Sequence, residues 1–88
     1  MKEITDIHIG RHIKEVVAQK GIKVPWIAQQ LGCHRNNVYL IFSRQWIDTG
    51  TLMKLSIILQ YNFFAELSEW YHNGGFTIMV LSGTTSKK

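Results

Sequence analysis

Residues 25–42, PWIAQQLGCHRNNVYLIF, decide the fold expected of this 88-residue chain. Ala28 supplies a small side chain where two helix backbones touch, and Gly32, four residues later, tolerates the positive φ of a tight turn. The apolar side chains of the stretch recur at the spacing of two helices that share a core. They are Ile27, Leu31, Cys33, Val38 and Ile41. The spacing predicts a helix-turn-helix.

The side chains left on the outer face of the second of these helices include no carboxylate. They are His34, Arg35, Asn36, Asn37 and Tyr39. Arginine, amides and an aromatic hydroxyl are groups that contact base edges and phosphates, whereas an ordinary solvated helix face usually mixes in Glu and Asp. The pattern favours double-stranded DNA as a partner.

Composition supports this interpretation without identifying the partner. The length and the 45% hydrophobic content predict one domain with a small core. The formal net charge of +4 lies in residues 1–54, which hold eight Lys or Arg against four Asp or Glu. Excess positive charge raises affinity for any polyanion through counterion release, so RNA and anionic lipid fit the charge as well.

Apolar periodicity predicts five helices in all: residues 8–20, 25–31, 34–43, a fourth helix carrying Leu52 to Leu59, and 63–71. Gly21 is expected to end the first helix in a left-handed conformation. Asp48 is expected to cap the fourth helix by accepting from the amide of Gly50 or Thr51, and Asn62 to cap the fifth.

The C-terminal part is predicted to leave the helical pattern at residues 73–75. Residues 76–81, FTIMVL, are β-branched-rich and apolar and predict a short strand. Because a lone strand has unpaired edges, we expect it to pair with the same segment of another copy. The expected organisation is a helical domain over residues 1–72, followed by the strand and a flexible basic tail over 73–88.

Several function classes find little support. A single cysteine forms no internal disulfide, and Cys33 is expected to act as a small buried hydrophobe. His8 and His12 stand four residues apart, but no carboxylate or thiol pair completes a zinc site, so neither a metal nor another cofactor is expected. No phosphate loop, activated nucleophile or carboxylate pair indicates an enzyme. No secretory or membrane-spanning segment is recognisable, which predicts a cytoplasmic protein.

Over residues 9–70 the chain resembles the Cro/phage-repressor type of helix-turn-helix domain, the XRE family, and in particular its small bacterial members. The resemblance rests on Ala28, Gly32, Val38 and Ile41 at family spacing, followed by an aliphatic helix over residues 52–60. It implies an all-α, compact, repressor-like bundle of five helices that regulates transcription by binding DNA as a dimer, with its third helix in the major groove.

The resemblance also implies two sets of DNA contacts. Base edges would be contacted by Arg35, Asn36, Tyr39 and Leu40. The DNA backbone would be contacted by Lys23, Trp26, His34, Asn37, Arg44, Thr49 and Thr51, partly through amides at helix starts. Two departures from the family pattern stand out: Leu40 replaces a common polar residue, and Val24 replaces a common Gln.

Several of these side chains have alternative roles. Leu40 either contacts a thymine methyl or packs inward, and Tyr39 either bonds a phosphate or covers apolar surface. For Trp26 and Trp46, packing in the core or at its rim is favoured. An Asp48 cap would compete with a phosphate for the amides that follow it.

Aromatic residues near the C-terminus exceed what one small core needs, which predicts a self-association surface. Its expected members are Phe63, Phe64, Trp70, Phe76, Ile78 and Val80. The main hypothesis is a homodimeric, sequence-specific DNA-binding regulator that binds an inverted-repeat operator. The alternative is a protein-interaction module, such as an antitoxin that binds a toxin through its C-terminal aromatic surface.

Overall fold

Five α-helices make up the part of the chain that the computed structural model describes, residues 7–74. They are α1 (Ile9–Lys20), α2 (Val24–Leu31), α3 (Arg35–Ser43), α4 (Thr49–Leu59) and α5 (Phe63–Gly74). No strand occurs within these residues, and the all-α prediction is confirmed for them. The predicted strand at 76–81 and the tail at 82–88 lie outside the described residues.

The C-terminal end of α5 differs from the prediction. Asn73 and Gly74 belong to the helix, which crosses the expected boundary between residues 72 and 73. Asn and Gly weaken a helix by at most about 1 kcal/mol each relative to Ala, so their presence alone does not end one.

The predicted left-handed residues Gly21 and Gly32 and the predicted caps Asp48 and Asn62 are confirmed. Gly21 ends α1 at φ +67° and Gly32 ends α2 at φ +72°, both in the left-handed region where glycine has no Cβ to clash. At the start of α4, Asp48 Oδ2 accepts from the Thr51 N–H at 2.9 Å. Asn62 Oδ1 accepts from the Ala65 N–H at 3.1 Å at the start of α5.

Apolar side chains from all five helices form one core. Its buried members in the described residues are Ile9, Ile13, Val16, Val17, Ile27, Ala28, Val38, Phe42, Leu52, Leu55, Leu59 and Phe63. Ile27 and Val38 are buried as predicted, whereas Leu31, Cys33 and Ile41 are half-buried and pack against the edge of the core. The inward face of the α2–α3 pair is therefore the predicted one.

Reciprocal hydrogen bonds join the start of α1 to the segment after α3. The N–H groups of Ile9 and Gly10 donate to the carbonyl oxygens of Gln45 and Arg44, at 2.8 and 2.9 Å. In return, Gln45 Nε2 donates to the Ile7 carbonyl at 2.9 Å. We call these contacts between residues 7–10 and 44–45 the α1–α3 clasp.

Gly10 permits the close approach that the clasp requires. A Cβ placed on this residue would collide with the backbone carbonyl oxygens of Ile41, Phe42 and Arg44. Those oxygens are backbone atoms of the last turn of α3 and of the residue after it. They cannot rotate away as the end of a flexible side chain could. Glycine at position 10 is thus a steric requirement of the α1–α3 contact.

A polar link also fastens α5 to α1. His12 Nε2 of α1 lies against Glu66 Oε1 of α5, and the Tyr61 hydroxyl donates to the same oxygen at 2.8 Å. The hydrogen bond to Glu66 raises the pKa of Tyr61. The His12 ring is also in edge contact with Trp70, with 5.2 Å between ring centroids. These contacts set the position of α5 on the bundle.

Candidate nucleic-acid interface

The outer face of α3 presents the side chains that the sequence placed there. Exposed on it are His34, Arg35, Asn36, Asn37, Tyr39 and Leu40. Tyr39 is 53% and Leu40 52% exposed, so Leu40 does not pack inward. This face contains arginine, amides, an aromatic hydroxyl and an apolar group, and no carboxylate.

The opposite side of α3 is held in the core. Val38 is fully buried and Phe42 is 9% exposed, and both α1 and α2 pack against this helix. The Tyr39 ring makes an edge contact with Phe42, at 6.2 Å between centroids, which anchors the base of an otherwise exposed side chain. One side of α3 is therefore supported by the bundle while the other faces solvent.

His34 caps the first turn of α3, a role that was not predicted. Its Nδ1 accepts from the Asn36 N–H at 3.1 Å. Because a nitrogen that accepts carries no hydrogen, the ring hydrogen in this arrangement is on Nε2. The cap thus leaves the Nε2–H as a donor beside Arg35 on the exposed surface. His8 caps α1 in the same way, accepting from the Arg11 N–H at 3.0 Å.

A cleft of about 190 Å³ separates α3 from the start of α4. Its lining residues are Asn37, Leu40, Ile41, Arg44, Ile47, Asp48 and Thr51. Four residues predicted from two separate parts of the sequence to contact DNA meet here: Asn37, Leu40, Arg44 and Thr51. The Arg44 side chain is exposed, while its backbone is fixed on both sides by bonds to Ile41 and Gly10.

The start of α4 carries its own negative charge. Asp48 accepts from the Thr51 N–H at 2.9 Å and from the Thr51 hydroxyl at 2.7 Å. These bonds, the hydroxyl bond first, lower the pKa of Asp48 and favour its ionised form. Both Thr51 donors, predicted to face a phosphate, are therefore bonded to Asp48 in this structure. The exposed Thr49, with Gly50, keeps amide N–H groups that bond to no other protein group in the described residues.

The start of α2 carries Lys23 and Trp26, both predicted to contact a phosphate. The Trp26 N–H donates to the Lys23 carbonyl at 3.1 Å and is not available to a phosphate. The Trp26 indole is 43% exposed, and the Lys23 side chain is exposed beside it. Trp46 is 46% exposed in the connection before α4. Both tryptophans are thus exposed, and neither is a core residue.

The residues expected to form a self-association surface are dispersed. Phe63 is 2% exposed and fills the core of its own chain, so it offers no surface to a partner, and its expected role is corrected. Phe64 and Trp70 are half-buried. Phe76, Ile78 and Val80 lie outside the described residues. Phe63 and Phe64 are adjacent and both apolar, so the helical spacing of apolar residues does not indicate which of the two faces the core.

Two further features concern ligands and membranes. Within residues 7–74 no group of three or more His, Cys, Asp or Glu side chains is placed to hold a metal ion. None of the helices in this range combines the length and the apolar character needed to cross a membrane.

Comparison of the chain with protein-family models, with curated proteins and with solved structures finds no match. Function therefore has to be inferred from the exposed face of α3 and its surroundings.

Proposed function

We propose that the protein is a sequence-specific DNA-binding transcriptional regulator, similar to the Cro/phage-repressor type, that acts as a homodimer on an inverted-repeat operator. The observation that carries the proposal is the exposed, carboxylate-free face of α3, supported from behind by the core. A single helix presented in this way has the dimensions to enter the major groove of B-form DNA.

Base contacts are assigned to the first turns of α3, because the N-terminal residues of a recognition helix come closest to the base edges. Arg35 has the donor geometry for guanine O6 and N7, and Asn36 can pair with adenine N6 and N7; each such pair contributes about 1–3 kcal/mol of discrimination. The exposed Leu40 side chain is suited to a thymine methyl group, and the Tyr39 hydroxyl to a phosphate.

Backbone contacts are assigned to the cations and donors around this face. Lys23, which precedes α2, and Arg44, which follows α3, both have exposed side chains. His34 offers its Nε2–H. Asn37 and Arg44 border the cleft beside α4. At the start of α4 the amides of Thr49 and Gly50 favour a phosphate, but the Asp48 carboxylate repels it. Contacts at α4 should therefore be weaker than those at α3.

Self-association is assigned to the C-terminal part, with Phe64, Trp70, Phe76, Ile78 and Val80 as its candidate residues. A two-fold dimer of this kind places two recognition helices about 34 Å apart, in successive major grooves on one side of the DNA. An operator for such a dimer is an inverted repeat.

Selection from randomised DNA duplexes by the purified full-length protein, at near-physiological salt, tests the proposal. We expect enrichment of an inverted repeat with half-sites about one helical turn apart. Lys14→Ala, which removes an exposed α1 cation, is the control and should enrich the same sequence. Failure of the unchanged protein to enrich any sequence would count against the proposal.

An interaction module such as an antitoxin is the second candidate. It is favoured by apolar side chains exposed away from α3: Ile57 is 67% and Tyr71 82% exposed. Exposed apolar side chains of this size are typical of protein contact surfaces. Absence of sequence enrichment together with a stable complex with a second protein would favour this function over DNA regulation.

A further inference from the structure

The first turn of α3 has no buried side chain of its own. Arg35, Asn36 and Asn37 are all exposed, and the first buried residue of the helix is Val38. Contact with the core therefore begins only after the two residues assigned to base contact. The position of this turn has to be fixed by hydrogen bonds instead of packing.

His34 makes hydrogen bonds that close this turn. Its ring Nδ1 accepts from the Asn36 N–H at 3.1 Å, and its carbonyl oxygen accepts from the Asn37 N–H at 2.9 Å. The first N–H groups of a helix have no partner within the helix, so a residue in this place decides how firmly the turn is held. The capped N–H belongs to Asn36, which is itself assigned to a base.

The start of α1 has the same kind of cap but is held by other contacts as well. His8 Nδ1 accepts from the Arg11 N–H at 3.0 Å. Ile9 is buried, and the N–H groups of Ile9 and Gly10 donate to carbonyl oxygens in the α1–α3 clasp. Loss of the histidine cap should therefore loosen the first turn of α3 more than that of α1.

We propose that the Nδ1 cap of His34 sets how well the protein discriminates between DNA sequences, because it holds Arg35 and Asn36 in position for the bases. The inference rests on the proposed function, and His34 is a positioning residue in it; the phosphate contact assigned to His34 uses the other ring nitrogen. Without the cap, the turn has to be ordered when it meets the bases, and this ordering weakens specific binding. Non-specific binding depends on phosphate contacts and does not require an ordered turn.

Three variants of the full-length protein separate the cap from the rest of the ring. His34→Ala removes both the cap and the Nε2–H. His34→Asn removes the Nε2–H but supplies a side-chain oxygen for the cap, since Asn is among the most favourable N-cap residues. His8→Ala removes the matching cap of α1. For each protein, the affinity for the selected operator is divided by the affinity for a scrambled duplex of the same composition at the same salt.

We expect this ratio to fall about fivefold in His34→Ala, which is the size of effect that loss of an N-cap typically has. His34→Asn and His8→Ala should keep the ratio of the unchanged protein within about twofold. Affinity for the scrambled duplex should fall alike in the two His34 variants, because both lose the same phosphate donor. An unchanged ratio in His34→Ala would overturn the proposal, and so would an equal fall in His34→Asn or in His8→Ala.

Amide exchange in the free protein supplies a readout that needs no DNA. We expect the Asn36 N–H to exchange about fivefold faster in His34→Ala than in the unchanged protein or in His34→Asn. Equal exchange in the three proteins would show that the cap does not hold the turn, and would overturn the proposal. If the unchanged protein prefers no DNA sequence, the proposed function fails and this inference fails with it, whereas a preference that survives in full in His34→Ala overturns this inference alone.

Discussion

The first turns of α3 and α4 flank one cleft, yet they are capped in opposite ways. The His34 ring caps α3 through Nδ1 and leaves its Nε2–H for another group, whereas the Asp48 carboxylate caps α4 and uses both donors of Thr51. Both helix starts attract anions through their free amides. The cap therefore influences whether a helix start is open to a phosphate. Of these two helices, α3 has the start without a carboxylate and with a cation, Arg35, in its first turn.

The two helices also differ in how they are held. The end of α3 is bonded to the start of α1 through the α1–α3 clasp, where Gly10 lies against the backbone of α3. The start of α4 depends on bonds within its own first turn. A change that loosens α3 should thus affect the whole bundle, while a change at the start of α4 should have local effects.

Gly10→Ala should produce the largest effect. The added Cβ collides with three carbonyl oxygens, so α1 and α3 must move apart, and we expect a loss of about 3 kcal/mol in unfolding free energy. Urea denaturation followed by circular dichroism measures it. Gly50→Ala is the control at α4, since its Cβ would meet only Asp48 Oδ2, at 3.2 Å. Equal stability of the two variants would show that the clasp does not need glycine.

Arg35→Ala should weaken binding to the selected operator by about 1–3 kcal/mol and relax preference at one position of each half-site. The residue is exposed and belongs to the first turn of α3, so the fold should be unaffected. Competition with operator variants measures the change. An unchanged sequence preference would mean that another face of the protein contacts the bases.

Arg44→Ala should weaken binding to all sequences by a similar factor. Arg44 borders the cleft between α3 and α4 and is assigned to a phosphate, so its removal should reduce the slope of log affinity against log salt by about 1 per site. Titrations at several salt concentrations measure the slope. Lys14→Ala on α1 should leave this salt dependence unchanged. An equal reduction of the slope in both variants would argue against a specific Arg44 contact.

Much of the fold could be predicted from sequence because its signals are local. Gly21, Gly32, Asp48 and Asn62 act within their own turn, and a residue type alone is enough to suggest a left-handed helix end or a cap. The two histidine caps escaped prediction because Ser, Thr, Asp and Asn are the usual side chains at that position.

The remaining features depend on residues distant in sequence. The requirement for Gly10 arises from carbonyl groups more than thirty residues away, and the His12–Glu66 contact joins the first helix to the last. Neither the Gly10 requirement nor the His12–Glu66 contact is indicated by the periodicity or the composition of the sequence. The outward face of α3 was predictable because the spacing of Val38 and Ile41 indicates which side of the helix faces the core. In α5 the adjacent Phe63 and Phe64 are both apolar, so the sequence does not indicate which of them faces the core.

Asp48→Asn should tighten DNA binding by about two- to fivefold at low salt, because the amide keeps an acceptor for the Thr51 N–H while the repelling charge is removed. Affinity for the selected operator, compared with Glu15→Gln on the exposed surface of α1, measures the effect. Equal gains in the two variants would indicate a general charge effect with no local role for Asp48.

Acid titration of stability should show the smallest effect. The hydrogen bonds from Thr51 to Asp48 hold the pKa of Asp48 below its ordinary value, so folding favours the ionised form of this carboxyl. The resulting stabilisation is complete above the unfolded-state pKa of about 3.9 and is lost as pH falls through the lower folded-state value. Melting temperatures of the unchanged protein and of Asp48→Asn should therefore converge as pH drops from 6 to about 3. A constant difference over this range would show that the Asp48 charge adds nothing to the cap of α4.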